Sequence, residues 1–196
     1  MGLMSVDSHN ATMTNVSYEN LRILFEPGCY FHPDHISLDY NQLPPPLRPA
    51  YNHQLIEKYR LPVLTLSTPM PIIFQHGWFQ LPKIAWIIGL LSLDVPKLIR
   101  TQPWLFTPEE VALWDKLMIN HYKNTHFISH HLTVQPREIM ALGTEQVCQL
   151  MAFFGQAFHQ RVQYVFSQEV MSLAKKSPPF SLPYNLIEKA FRHVIG

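Results

Sequence analysis

Proline placement constrains this chain more than any other feature. All 17 prolines lie outside the stretch from Arg137 to Ser177, and thirteen of them fall between Pro27 and Pro108 inclusive. Proline removes a backbone donor and its ring clashes with the preceding turn, so the region up to Pro108 is expected to be built from short helices and irregular connections. The proline-free stretch can hold long helices. At 196 residues the chain is long enough for one domain with a sizeable core and too short for two large ones.

Apolar spacing and capping residues place the elements. Tyr18, Leu21, Leu24 and Phe25 recur at helical spacing behind Ser17, a capping residue, and Pro27-Gly28 ends that helix. Residues Met1 to Val16 lack apolar periodicity and are expected to form a flexible N-terminal arm. Asn41 to Pro49 reads as an extended connector into a helix from Ala50 to Arg60, with Tyr51, Leu55 and Tyr59 on one face. Leu64 to Ser67 alternates apolar and polar residues between two prolines and reads as loop or edge strand. Thr107-Pro108-Glu109-Glu110 combines a capping hydroxyl, proline at the first helical position and glutamate at the third, which marks a helix start. From Thr144 to Lys176 a near-helical apolar period predicts one long helix with a kink site at Gly155. After Ser177-Pro178-Pro179 a last amphipathic helix carries Leu186, Ile187, Ala190, Phe191 and Val194. The expected fold is therefore mainly α, an irregular domain of short helices followed by a long helix and a C-terminal helix, with little or no β. Residues 17 to 196 form its single domain.

Composition narrows the function. Charged residues make up 15% of the chain, against roughly 25% in an ordinary soluble domain, while 47% are hydrophobic. So little charge implies that part of the surface is covered by partners. A net charge of +1 supplies no basic face for nucleic acid and no polybasic membrane patch. The longest apolar run, Ile84 to Ile88 continued through Leu91, is far short of the roughly 20 residues of a spanning helix and reads as a buried core helix, with Trp86 inside it. No secretory signal pattern opens the chain, so a cytoplasmic location is expected. Cys29 and Cys148 form no C-x-x-C pair and read as two buried free thiols.

No catalytic machinery is legible. His121 to His131 is the densest of the histidine clusters, and a small metal-dependent hydrolase using it is the alternative reading. The segment offers no acid and no H-E-x-x-H pattern, so neither a metal nor a cofactor is expected. His32-Pro33-Asp34-His35 places two histidines about a carboxylate, yet no activated nucleophile accompanies it. Its structural reading has Asp34 capping a turn at Ile36 to Tyr40 and His32 bonding backbone nearby. Trp78, Trp86 and Trp114 read as core, and Trp104, between Pro103 and the Thr107 cap, as a partly exposed interface anchor.

Leu24-Phe25-Glu26-Pro27 runs into Tyr30-Phe31-His32-Pro33-Asp34-His35, and Trp78 and Leu81-Pro82-Lys83-Ile84-Ala85-Trp86 follow. In that order these motifs resemble the OrgA/MxiK family of cytosolic accessory proteins of bacterial type III secretion systems, over roughly Ile23 to Leu91. The resemblance implies a non-enzymatic adaptor of the sorting platform that links the cytosolic domain of the inner-membrane ring protein to the pod protein beneath it. It implies a location peripheral to the inner membrane through the apparatus, without insertion. Within the matched motifs Phe25, Ile84, Ala85 and Ile88 are explained by packing, whereas Glu26, Tyr30, His32 and Asp34 carry polar groups that packing does not require. With Trp104 these are the expected partner-binding residues.

Overall fold

A computed structural model describes residues 17–63, 69–122, 127, 134–178 and 180–196. The expected arm and the Leu64 to Ser67 segment lie outside them, as does most of the His121 to His131 cluster.

The fold is mainly α, and no β-strand occurs among the described residues. Helix α1 spans Tyr18–Phe25, with the Ser17 hydroxyl accepting from the Asn20 amide at 3.1 Å, as the capping pattern predicts. Short 3-10 turns follow at Pro27–Cys29, Pro33–His35, Tyr40–Gln42 and Pro45–Leu47 before α2, Arg48–Lys58. The Asn41 to Pro49 connector is thus folded into tight turns rather than extended, and α2 starts two residues early because Pro49 occupies its first turn, where the missing donor costs nothing. Beyond it come α3, Ile72–Gly77, α4, Leu81–Leu91, α5, Val95–Thr101, and α6, Pro108–Met118. Helix α6 carries the full capping box: Glu110 accepts from the Thr107 amide at 2.8 Å while Thr107 accepts from the Glu110 amide at 3.2 Å.

The proline-free half departs from its expectation. It holds three helices instead of one: α7, Pro136–Phe154, α8, Gln156–Val162, and α9, Gln168–Ala174. Gly155 breaks the chain after α7 at φ 120°, a conformation closed to most L-residues, and the Ser167 hydroxyl starts α9 by accepting from Val170 at 3.2 Å. Helix α7 begins eight residues before Thr144, at Pro136, where Glu138 accepts from the Gln135 amide at 2.7 Å. Last is α10, Tyr184–Ile195, whose Leu186, Ile187, Ala190 and Phe191 are buried.

The crossing of α4 and α7 forms the centre of the main core. Gly89 meets the Ile139 carbonyl and Gly143 meets the Ala85 carbonyl, with no room for a Cβ at either point. Helix α10 closes this pair by packing on α3 and α4, and α9 lies against α7. A smaller cluster of Phe31, Tyr40, Tyr51, Leu55 and Leu61 packs under α2. Trp86 is a correction: it is only half-buried, and its indole N–H donates to Glu110 Oε1 at 2.6 Å, tying α4 to the cap of α6. The tryptophan at 0% exposure is Trp78, whose ring meets Tyr30 and Phe158 edge-on.

Buried amides hold the connections that charge-poor composition leaves to neutral groups. Gln102 brackets Val134, donating to its carbonyl at 3.2 Å and accepting from its amide at 3.0 Å. Gln146 of α7 does the same to the strap before α10, through the Phe180 carbonyl at 2.6 Å and the Leu182 amide at 3.0 Å. Each replaces water on a donor and an acceptor that burial would otherwise leave unpaired.

Candidate functional site

The motif that carries the sequence resemblance folds as a seam between the two halves of the chain. Leaving α1, the Gly28 amide donates to Asn52 Oδ1 at 2.9 Å. The Phe31–His35 segment then lies along the link between α8 and α9. The His32 amide donates to the Tyr164 carbonyl at 2.7 Å, and Asp34 Oδ2 accepts from the Gln168 amide at 3.0 Å. His35 Nε2 lies 2.9 Å from the Phe166 carbonyl. The Phe31 ring stacks on Tyr164 at 4.9 Å, and Tyr59 closes on the same ring at 4.5 Å. Asp34 therefore supports the start of α9 rather than a turn at Ile36 to Tyr40, a long-range cap that places a carboxylate at a helix N-terminus. The His32 imidazole does bond nearby backbone, accepting from the Asp34 amide at 3.2 Å.

Beneath this seam sits Arg161, a fully buried cation that sequence reasoning missed. Its Nη1 donates to the Pro62 carbonyl at 2.6 Å and the Ala157 carbonyl at 3.1 Å, and Nη2 to the Leu24 carbonyl at 2.8 Å. Leu24 lies in the last turn of α1, where carbonyls lack helical partners and the helix dipole is negative, so a guanidinium there replaces a carboxylate partner. Burial lowers the Arg161 pKa, an effect opposed by the Tyr30 phenol beside it. Burial in turn pushes the Tyr30 phenol up, and its hydroxyl donates to the Ile23 carbonyl at 2.6 Å. Arg161 follows Phe158 by three residues and precedes Val165 by four, so a lone arginine on an apolar face was the available signal.

Cys148 is buried and Cys29 half-buried, both free, and burial pushes their thiols up to about 12 and about 11. A raised folded-state value means that the neutral thiol is the favoured form. Its stabilisation is present below the ordinary value of 9.0 and lost as pH climbs toward those higher values. At pH 8 both thiols are expected to react slowly with Ellman's reagent in the folded protein and at once in guanidinium. Two rapid equivalents from the native chain would contradict their burial.

The five expected partner-binding residues separate. Tyr30, His32 and Asp34 make the contacts just described, within the chain. Glu26 is partly exposed and pairs with Arg22 at 3.2 Å, one turn away. Trp104, in the 3-10 turn Pro103–Leu105, is 75% exposed, as expected, and no hydrogen bond or ring contact ties it to the other four. Of the four residues that recur at helical spacing on α1, only Leu24 faces the core, beside Ile23; Tyr18, Leu21 and Phe25 form an exposed apolar stripe, so packing does not account for Phe25 as expected. His121 places Nε2 3.1 Å from Lys189 Nζ, and no group of three metal-ligating side chains occurs among the described residues. No helix among them is long and apolar enough to cross a membrane.

Comparison with known proteins decides the family. A family model described as "Bacterial type III secretion apparatus protein (OrgA_MxiK)" matches residues 20–193. The chain belongs to the OrgA/MxiK family. The match runs from the third residue of α1 to within two residues of the end of α10, so the family extends over the second half, well beyond the motifs that end at Leu91. No curated protein and no solved structure matched in the corresponding searches. Within an OrgA/MxiK chain, the Tyr30 to His35 motif holds the first half of the match against the second.

Proposed function

We propose that this protein is a non-enzymatic adaptor of the type III secretion sorting platform, joining the cytosolic domain of the inner-membrane ring protein to the pod protein. The family match over residues 20–193 carries the reading. Exposed Trp104 and the exposed stripe on α1 support it, since large aromatic side chains left in water on a charge-poor surface are the usual anchors of protein interfaces. The expected partner residues divide by role. Trp104 meets a partner directly, Glu26 stays paired with Arg22 beside that surface, and Tyr30, His32 and Asp34 shape it from behind through the seam to α8 and α9. The metal-dependent hydrolase has no observation in its favour.

Removal of the protein from a bacterium with an assembled apparatus is expected to stop secretion by preventing platform assembly. Purified Trp104→Ala is expected to bind the ring domain or the pod protein about tenfold more weakly, with an unchanged melting midpoint, because the side chain lies in water in the free protein. Titration of both partners against wild type and variant checks this. Equal affinity for both would remove Trp104 from the interface.

A further inference from the structure

Between the end of α1, the start of α2 and the turns that join them lies a groove of about 560 Å³. Its walls are apolar: Phe25, Tyr40, Pro45, Pro49 and Ile56. Phe25 is 46% exposed and continues the stripe of Tyr18 and Leu21, so the groove opens onto uncovered apolar surface. Among its polar groups, most are already engaged. Asn52 accepts from Gly28 and donates to the Tyr40 hydroxyl at 3.2 Å, Glu26 pairs with Arg22, and His53 lies 3.7 Å from Glu57.

Arg48 differs from all of these. Its Nε donates to the Leu43 carbonyl at 3.1 Å and its Nη2 to the Asn41 carbonyl at 3.3 Å, and the guanidinium rests 5.3 Å from the Tyr40 ring centroid. No described carboxylate pairs with it, and Nη1 makes no hydrogen bond. The charge is thus fixed in place by neutral groups beside an apolar slot, with one edge left over. A preorganised guanidinium loses little side-chain freedom when a carboxylate arrives, and the apolar wall lowers the competing hydration.

We propose that this groove docks a short segment of a secretion-apparatus component in which an Asp or Glu stands beside an apolar side chain, the carboxylate meeting Arg48 and the apolar group seated against Phe25, Pro49 and Ile56. The proposal rests on the adaptor reading for the source of the segment; the recognition chemistry follows from the groove. It also fixes the sign at Glu26. That carboxylate stands at the rim, so neutralising it leaves the incoming acid unopposed.

The test titrates the full chain against the ring protein's cytosolic domain and the pod protein, separately, with wild type, Arg48→Glu, Phe25→Ser and Glu26→Gln, and with melting measured for each. Phe25→Ser changes an exposed side chain, so it keeps the test valid if Arg48→Glu perturbs the turns. For one partner, Arg48→Glu and Phe25→Ser are expected to weaken binding by about tenfold or more, while Glu26→Gln leaves it equal or tighter. Overlapping 15-residue peptides of that partner are expected to yield a binder that fails when its Asp and Glu are changed to Asn and Gln. Affinities unchanged in Arg48→Glu and Phe25→Ser, with wild type binding, would overturn the groove and leave the adaptor reading standing. Wild type binding neither partner would overturn both. Loss of binding in Glu26→Gln would mean a basic occupant and overturn the acidic class. A self-associated species dispersed by Arg48→Glu would assign the groove to a second copy of the chain and overturn the proposal.

Discussion

Gly143→Ala is expected to lose about 3 kcal/mol of stability or more. A Cβ built at Gly143 falls 1.7 Å from the Ala85 carbonyl oxygen and 2.6 Å from its carbon. Both are backbone atoms of α4, so no side-chain rotation relieves the overlap. The two central helices must separate, and close packing along their whole crossing is lost with them. Alanine's better helix propensity returns only about 1 kcal/mol, so the clash decides the sign. Ala152→Gly, exposed on the same helix, isolates that propensity and is expected to cost about 1 kcal/mol. Urea unfolding of both variants checks the pair. An unchanged midpoint for Gly143→Ala would contradict the α4 to α7 crossing.

Removing the buried cation is the second large effect. Arg161→Met keeps much of the side-chain volume but strands the carbonyls of Leu24, Pro62 and Ala157 without their charge-assisted donors. Breaking one side of a buried charged network costs about 3 to 5 kcal/mol, and each orphaned acceptor accounts for about 1 to 3 kcal/mol of that. Arg161→Lys retains charge but has no planar fork to span three carbonyls, so an intermediate loss is expected. Unfolding midpoints for the two variants give the order. Arg161→Lys as damaging as Arg161→Met would show that fork geometry, not charge, holds the end of α1 and the Pro62 segment to α8.

Local signals in the sequence were enough where a capping side chain or a clean amphipathic period marks the helix. Ser17 and the Thr107-Pro108-Glu109-Glu110 box cap their helices as their side chains dictate, and the amphipathic period of α10 buries the residues it marks. The second half failed where one apolar period ran through several helices. The residues Phe154, Phe158, Val162 and Val165 stay buried on both sides of Gly155, because the two helices pack on the same core after the break. Gln135-Pro136-Arg137-Glu138 repeats the proline and glutamate of the α6 start but lacks a hydroxyl or Asp cap, so it passed unread. The seam was illegible for another reason. Asp34 caps a helix 134 residues away, and no local pattern encodes so distant a pairing. Trp104 was legible as exposed because it stands between a proline and a helix cap, whereas the groove at Arg48 depends on how three turns fold together.

The adaptor claim is tested most directly by mixing the ring protein's cytosolic domain and the pod protein with and without this protein, and weighing the products by light scattering after gel filtration. One species containing all three is expected, with separate ring and pod species when the protein is left out. Ring and pod proteins that co-elute equally well without it, or a chain that elutes alone from both, would contradict the account.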